Sequence, residues 1–306
     1  MIRSLIYYFT CLLFGIFSYV NVHSKERIDT TATIIPFNRA GNLIIIKAKA
    51  DSIEGNFILD TGAPGLVLNL TYFRHYQLTA ADDRGSVTGL IGTAQETIIN
   101  SFSFGEESYV RQHADLVNLG HIEDRKNIKI IGLIGVSFFK QSELIIDYEK
   151  SLIYMWPVIT KKTNTYRNPM LTDTNSYSIV PIEIVENKIV AYTKLAGRKL
   201  KFIIDTGAEA NVLDTRLPNK IFENVTISRR TSITGTGNRK IEALYGNIKN
   251  MKIGNIELGA LPIVVTNLEN ACITNMCCVD GMLGFDFLSL HKIGFNFVKR
   301  EMYIWK

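Results

Sequence analysis

The chain has 306 residues, of which 46% are hydrophobic and 21% charged, so it is long enough for two domains and is not a disordered polypeptide. The net charge of +5 is small, and the paired cations Lys161-Lys162, Arg229-Arg230 and Arg239-Lys240 are not regularly interleaved with aromatic residues. We therefore expect no nucleic-acid partner. The five histidines show no metal-ligand spacing, so we expect no metal site and no cofactor.

Residues 1–24 are predicted to be a signal peptide. Arg3 supplies a positive charge, residues 5–20 form an uncharged apolar stretch, and Val22-His23-Ser24 provides a cleavage site. This stretch is short for a membrane span, which needs about 20 residues. We expect a secreted or periplasmic protein with no further membrane span. An uncleaved signal that anchors the protein to the membrane is the alternative.

The triplet Asp-Thr-Gly occurs twice, each time at the end of an apolar run and followed by alanine. The first copy is Asp60-Thr61-Gly62 and the second is Asp205-Thr206-Gly207, so the two aspartates lie 145 residues apart (205 minus 60). A single such triplet is common turn chemistry. Two copies with matching flanks indicate one site built from two halves.

The two halves of the chain correspond along their whole length. The segment Gly132-Leu133-Ile134-Gly135 matches Gly281-Met282-Leu283-Gly284 at an offset of 149 (281 minus 132). The polar stretch between the halves reads as a linker. The predicted organisation is a signal peptide at 1–24, an N-terminal lobe at 25–156, a linker at 157–177 and a C-terminal lobe at 178–306.

Most segments are short, rich in β-branched residues and interrupted by Gly, Asn and Asp, which predicts strands. Short helices are expected over 72–81, 136–142 and 285–291. Each lobe is therefore predicted to be a small closed β-structure.

An aspartate that directly follows a buried strand sits at a strand-to-turn junction. Gly62 and Gly207 allow the tight turn and the close approach of the partner backbone. The hydroxyls of Thr61 and Thr206 both donate and accept hydrogen bonds, which suits them to join the two loops. If the lobes pack about a pseudo-twofold axis, Asp60 and Asp205 meet there and share one proton. Such a pair activates water for amide hydrolysis.

These residues give both halves a resemblance to the retroviral-type (retropepsin-like) aspartyl protease family, in the single-chain bacterial form with two fused lobes. A lobe of that family carries an apolar strand, Asp-Thr-Gly-Ala, a glycine-rich flap and a late apolar-apolar-Gly segment. The resemblance implies an all-β fold of two β-barrel lobes related by a pseudo-twofold axis, with the active site in the cleft between them. It implies that Asp60 and Asp205 are catalytic and that Thr61, Gly62, Thr206 and Gly207 support them.

The resemblance also implies two flaps that close over an extended polypeptide substrate. Their residues would be Gly89, Leu90, Ile91 and Gly92 in the first half and Gly235, Thr236 and Gly237 in the second. The expected function is aspartic endopeptidase, active as a monomer. The alternative is a catalytically inactive peptide-binding or adaptor protein on the same fold.

The halves differ at three places. Pro64 stands opposite Glu209, and Ile131 stands opposite Asp280, which either tunes the site or faces solvent. Cys272, Cys277 and Cys278 occur in the second half only. In an oxidising compartment, Cys272 pairs with Cys277 or with Cys278, leaving one thiol over.

The alanines that follow both triplets have no hydroxyl to donate to the carboxylates. We therefore expect activity at weakly acidic to neutral pH.

Overall fold

The computed structural model describes residues 32–86, 89–158, 168–234, 240–269 and 278–306. The predicted signal peptide, residues 159–167 of the predicted linker and two of the three clustered cysteines lie outside these ranges. No helix among the described residues is long and apolar enough to cross a membrane.

The first half is built mainly from strands, with two small helices. Its strands are β1 (Thr33–Pro36), β2 (Asn38–Ala40), β3 (Leu43–Ala50), β4 (Ile53–Leu59), β5 (Leu66–Asn69), β6 (Leu78–Ser86), β7 (Gly89–Phe104), β8 (Glu107–Val117), β9 (Gly132–Ile134), β10 (Ser142–Asp147) and β11 (Leu152–Pro157). Its helices are α1 (Leu70–Phe73), α2 (Gly120–Lys126) and a 3-10 turn at Val136–Phe139.

The second half follows the same plan. Its strands are β12 (Tyr177–Val185), β13 (Lys188–Leu195), β14 (Arg198–Ile204), β15 (Val212–Asp214), β16 (Val225–Thr234), β17 (Lys240–Ile248), β18 (Lys252–Ile253), β19 (Ile256–Glu257), β20 (Leu261–Thr266), β21 (Gly281–Leu283), β22 (Ile293–Asn296) and β23 (Glu301–Trp305). Its helices are α3 (Asn219–Phe222), α4 (Phe285–Leu288) and a 3-10 turn at Pro169–Leu171.

The first lobe is a closed barrel. Its strands follow the order β3, β4, β9, β5, β8 and β7, and β7 pairs back onto β3 through Ala48 and Phe104. Closure leaves these six strands without a free edge and turns one face of each inward. The inward residues, among them Ile46, Phe57 and Phe102, are fully or almost fully buried.

The second lobe repeats this strand order as β13, β14, β21, β15, β20 and β17. The register is also repeated, since Phe57 pairs with Gly132 and Phe202 pairs with Gly281. The lobes differ at the strand that pairs back onto the first strand of the order, β3 in the first lobe and β13 in the second. The long strand β7 is replaced by β17 and the two-residue β18, separated by a bend at Asn250, whose φ is +63°.

A six-stranded antiparallel sheet joins the lobes in the order β1, β11, β10, β22, β23 and β12. Its two halves meet where β10 pairs with β22, and there Ile145 lies opposite Gly294. These two residues are equivalent at the offset of 149, so the local twofold axis passes between them. The all-β, two-lobed fold expected from the sequence is thus confirmed.

Candidate active site

Asp60 and Asp205 each begin the loop that follows a buried strand, β4 in the first lobe and β14 in the second. The backbone N–H of Asp60 donates to the Ile134 carbonyl at 3.0 Å, and that of Asp205 donates to the Leu283 carbonyl at 3.0 Å. Both loops are therefore tied to the Gly-x-x-Gly segment of their own lobe. The two aspartates occupy the same position in two copies of one arrangement.

Two threonines bind the loops to each other across the lobe boundary. Thr61 N–H donates to Thr206 Oγ1 and Thr206 N–H donates to Thr61 Oγ1, both at 3.0 Å. Each hydroxyl then donates to the opposite strand, Thr61 to the Ile204 carbonyl at 2.8 Å and Thr206 to the Leu59 carbonyl at 2.7 Å. Each threonine is fully or almost fully buried, so this reciprocal set fixes the separation of the two aspartates.

Glycine is required beside each aspartate because the opposite carboxylate leaves no room for a side chain. A Cβ at Gly62 would lie 2.5 Å from Asp205 Oδ2, and one at Gly207 would lie 2.5 Å from Asp60 Cγ. The glycine N–H groups also donate within their own loops, Gly62 to Asp60 Oδ1 and Gly207 to Asp205 Oδ1, both at 2.8 Å. The structure thus brings Asp60, Gly62, Asp205 and Gly207 together, as the sequence predicted.

The carboxyl groups of Asp60 and Asp205 interact directly with each other, and both pKa values are raised. Burial is the largest cause for each, and for Asp205 the charge of Asp60 adds to it. Asp205, which is 8% exposed, has the pKa that is raised further. Asp60 is partly exposed and accepts a second backbone hydrogen bond from Ala63 at 3.1 Å, which lowers its pKa. One carboxyl of the pair therefore keeps a proton above the ordinary pKa of aspartate.

Lys188 acts on this pair and was not singled out from the sequence. Its positive charge contributes to lowering the pKa of Asp60, after the larger effects of burial and hydrogen bonding. At the offset of 145 its counterpart in the first half is Leu43. The only sequence signal for Lys188 was this difference between otherwise matching halves.

The predicted flap of the first half lies in a hairpin. Gly89, Leu90, Ile91 and Gly92 belong to β7, where Gly89 pairs with Ser86, Leu90 with Gly85 and Ile91 with Arg84 of β6. The residues of the second predicted flap, Gly235, Thr236 and Gly237, lie outside the described part of the chain. The strands on either side of them, β16 and β17, pair as a hairpin.

Asp280 is hydrogen-bonded to β14 and is not among the groups that shift the pKa values of Asp60 and Asp205. Its Oδ2 accepts the Lys201 N–H at 2.7 Å, in the middle of β14. In the first half, the equivalent Ile131 instead packs over Gly55, where a Cβ would lie 2.5 Å from Ile131 Cγ1. The second half has Leu200 in place of that glycine.

The cysteine segment is described only at its end. Cys278 is disulfide-bonded, whereas Cys272 and Cys277 lie outside the described residues. At the offset of 149, Cys272 stands where the first half has Glu123, whose Oε2 accepts from Asn69 at 3.0 Å. The second half has Asp214 in place of Asn69 and pairs it with Arg216 at 2.6 Å. Within the described residues no group of His, Cys, Asp and Glu side chains is arranged to hold a metal ion.

Comparison with known families finds a similarity in the second lobe. Residues 191–287, which include Asp205, Thr206 and Gly207, match the family model described as Aspartyl protease. This part of the chain is similar to the retropepsin-like aspartyl proteases. The first lobe has the same strand order and the same triplet at the equivalent position.

More distant comparisons add little to this assignment. No curated protein sequence matches the chain. Among solved structures, the chain is similar to the crystal structure of Basic 7S globulin from soybean, with 11% identity over 90% of this chain and 94% of that one. The TM-score of 0.47 is too low to bear on function.

Proposed function

We propose that this aspartyl protease homologue is an aspartic endopeptidase in which Asp60 and Asp205 activate a water molecule. The observation that carries the proposal is the close approach of the two Asp-Thr-Gly loops, in which each carboxyl group leaves room only for glycine in the opposite loop, together with the raised pKa of both carboxyl groups. A binding protein has no need to hold two carboxylates in contact, because their repulsion opposes folding at neutral pH. A hydrolase needs this arrangement, since one carboxyl must be charged while the other carries a proton.

The chemistry divides between the two carboxyl groups. The charged carboxylate takes a proton from water as the water oxygen bonds to the peptide carbonyl carbon, and the protonated carboxyl donates to the carbonyl oxygen. The C–N bond then breaks as the amide nitrogen receives a proton from the carboxyl that gained one. A hydroxyl of the tetrahedral intermediate returns its proton to the other carboxylate as the product carbonyl forms, which restores the pair. The Thr61–Thr206 hydrogen bonds hold the pair in place during these transfers, which limits the reorganisation that the reaction requires.

The substrate is proposed to be an extended polypeptide. The hairpin β6–β7 in the first lobe and the hairpin β16–β17 in the second are the elements that would cover it. Extended chains add to exposed strand edges through main-chain hydrogen bonds, which tolerate many side chains. We further propose that the protein acts as a monomer, with no cofactor and no nucleic-acid partner.

The alternative is a peptide-binding or adaptor protein without catalytic activity. It would bind a denatured polypeptide and release it intact. Replacing Asp60 would then leave the affinity almost unchanged, whereas in the proposed enzyme the same change abolishes turnover.

We expect the full chain to cleave a peptide with both termini blocked, at between about pH 4 and pH 7, because one carboxyl of the pair is charged and the other protonated there. Asp60→Asn and Asp205→Asn should each lower kcat by at least about a thousandfold, a loss of about 4 kcal/mol of transition-state stabilisation. Cleavage is followed by mass spectrometry of the fragments, and internal cuts identify an endopeptidase.

The matched control is Asp124→Asn, which changes an exposed aspartate of α2 and should leave kcat unaltered. A peptide with a hydroxyl-bearing carbon in place of the scissile carbonyl should inhibit the wild type. A well-folded wild-type protein that cleaves no peptide in this pH range would refute the proposal.

The proposed location is outside the cytoplasm, secreted or periplasmic, with the uncleaved anchor as the alternative. The signal-like residues 1–24 and the disulfide at Cys278 both support an oxidising compartment.

A further inference from the structure

Glu209, four residues after Asp205 on the same loop, joins the second lobe to the first. Its Oε2 pairs with Lys126 Nζ at 2.5 Å and accepts the Asn42 N–H at 3.4 Å. Its backbone carbonyl accepts from Asn42 Nδ2 at 3.0 Å. Lys126 ends α2, and Asn42 lies in the turn between β2 and β3, so two separate elements of the first lobe meet one loop of the second.

The packing around this contact is tight. The Lys126 side chain is only 14% exposed and that of Glu209 is 35% exposed. Gly41, which has a φ of +62°, lies against both, and a Cβ there would be 2.8 Å from Lys126 Nζ and 3.2 Å from Glu209 Oε2. An ion pair whose lysine is mostly buried, and whose carboxylate also accepts from a backbone N–H, is held more firmly than a fully exposed pair.

The contact occurs on one side of the pseudo-twofold axis. The counterpart of Glu209 in the first lobe is Pro64, which has no carboxylate. The counterparts of Gly41 and Asn42 are Glu186 and Asn187. The loop that carries Asp205 is therefore attached to the opposite lobe through a carboxylate, and the loop that carries Asp60 has none at that position.

We propose that Lys126 and Glu209 form a latch that sets the position of the Asp205 loop relative to Asp60, and are positioning residues for the reaction. The proposal rests on the proposed function for its effect on rate. The threonine hydrogen bonds fix the bases of the loops. The latch fixes the Asp205 loop at Glu209, four residues after the aspartate. A displacement of about 1 Å at a reacting group lowers the rate by up to about a hundredfold.

The test uses the full chain and three variants. Lys126→Met removes the charge and keeps most of the side-chain volume. Glu209→Gln removes the charge and keeps an acceptor for the Asn42 N–H. The third variant combines the two. The control is Lys252→Met, which breaks an exposed pair with Glu257 inside the second lobe, 3.1 Å long.

Two readouts are measured for each protein. The first is the titration of the Asp60 and Asp205 carboxyl carbons by NMR, with assignments from Asp60→Asn and Asp205→Asn. The second is the separate determination of kcat and KM on the blocked peptide. We expect both latch variants to bring the raised pKa values closer to the ordinary value, because separated carboxylates repel each other less.

We expect kcat to fall by about ten- to a hundredfold in the latch variants, with a smaller change in KM. The double variant should be no worse than either single one, since both remove the same interaction. Lys252→Met should match the wild type in both readouts.

The latch would be overturned if Lys126→Met and Lys252→Met had the same kcat and the same titration of Asp60 and Asp205. That result would leave the enzyme proposal in place. If the wild-type protein cleaves no peptide, but the latch variants still change the titration of Asp60 and Asp205, the latch is supported and the enzyme proposal is refuted.

Discussion

The residues around Asp60 and Asp205 are explained by how closely the two loops approach. The hydroxyl of each threonine, Thr61 and Thr206, accepts the N–H of the other threonine and donates to the carbonyl at the end of the opposite strand. Serine has the same hydroxyl without the methyl group that these buried positions enclose. Glycine at 62 and 207 leaves space for the opposite carboxylate. The result is a pair of acids held in contact although their charges repel.

This repulsion predicts how stability depends on pH. Because the folded-state pKa of Asp205 is raised, the contribution of its carboxyl is fully present below the unfolded pKa of about 3.9 and is lost as the pH rises through the folded value. Asp205→Asn should therefore increase the free energy of unfolding at pH 7, by about 1.4 kcal/mol for each unit by which the pKa is raised.

The measurement is urea unfolding at several pH values. The gain should shrink towards zero near pH 3.5, and Asp124→Asn should show no comparable gain. A destabilised Asp205→Asn variant at pH 7 would contradict the raised pKa.

At the level of strands, the two lobes fill one equivalent space in two ways. In the first lobe Ile131 covers Gly55 of β4, whereas in the second Leu200 of β14 is itself buried and Asp280 turns to cap the Lys201 N–H. The same space is thus filled by Ile131 in the first lobe and by Leu200 in the second. The carboxylate at position 280 follows from packing, because the space that Ile131 fills is already occupied by leucine.

This exchange predicts a compensated double substitution. Gly55→Leu alone should destabilise the protein by about 1–3 kcal/mol, because the new side chain collides with Ile131. Adding Ile131→Asp should recover most of that loss, since the pair then matches Leu200 and Asp280 and the new carboxylate can accept the Asn56 N–H. Ile131→Asp alone should cost about 2–5 kcal/mol through lost packing.

Urea unfolding of the four proteins forms a double-mutant cycle. Losses that simply add in the double variant would show that the two strands do not share this space.

At the level of the whole molecule, the six-stranded sheet makes the two lobes one body. Its centre is nearly symmetric, yet Ile145 on one side faces Gly294 on the other, because two large side chains do not fit on the axis. Beside it, the buried Glu143 accepts hydrogen bonds from Asn296 at 2.7 Å and from Asn168, which lies in the predicted linker. The sheet therefore also holds the connection between the lobes.

Gly294→Ile should destabilise the whole protein by about 1–3 kcal/mol, because a Cβ at this position already lies 3.1 Å from Tyr303 and 3.2 Å from Ile145. Calorimetry gives the change in melting temperature. Gly259→Ile is the control, since no atom lies within 4 Å of a Cβ there. Equal melting temperatures for the two variants would contradict the packing argument.

The sequence was most informative where one residue type is required by chemistry. The repeated triplet, the Gly-x-x-Gly segments and the β-branched runs predicted the paired loops and the all-β fold, because each depends on local geometry that the same residues produce twice. Short helices were less predictable. The helix expected over 72–81 is wrong for most of its length, since α1 ends at Phe73 and β6 begins at Leu78, where pairing with β7 outweighs local preference.

By itself, the sequence determined that this protein has two equivalent lobes and which aspartates correspond. Only the tertiary structure decided what the differences between the lobes do. The contact of Glu209 with Lys126 joins residues 83 positions apart, and the effect of Lys188 on Asp60 crosses between lobes. Repetition reveals positions that are the same, but a charged residue without a counterpart acquires its partner only through folding, since distance in space is independent of spacing in the chain.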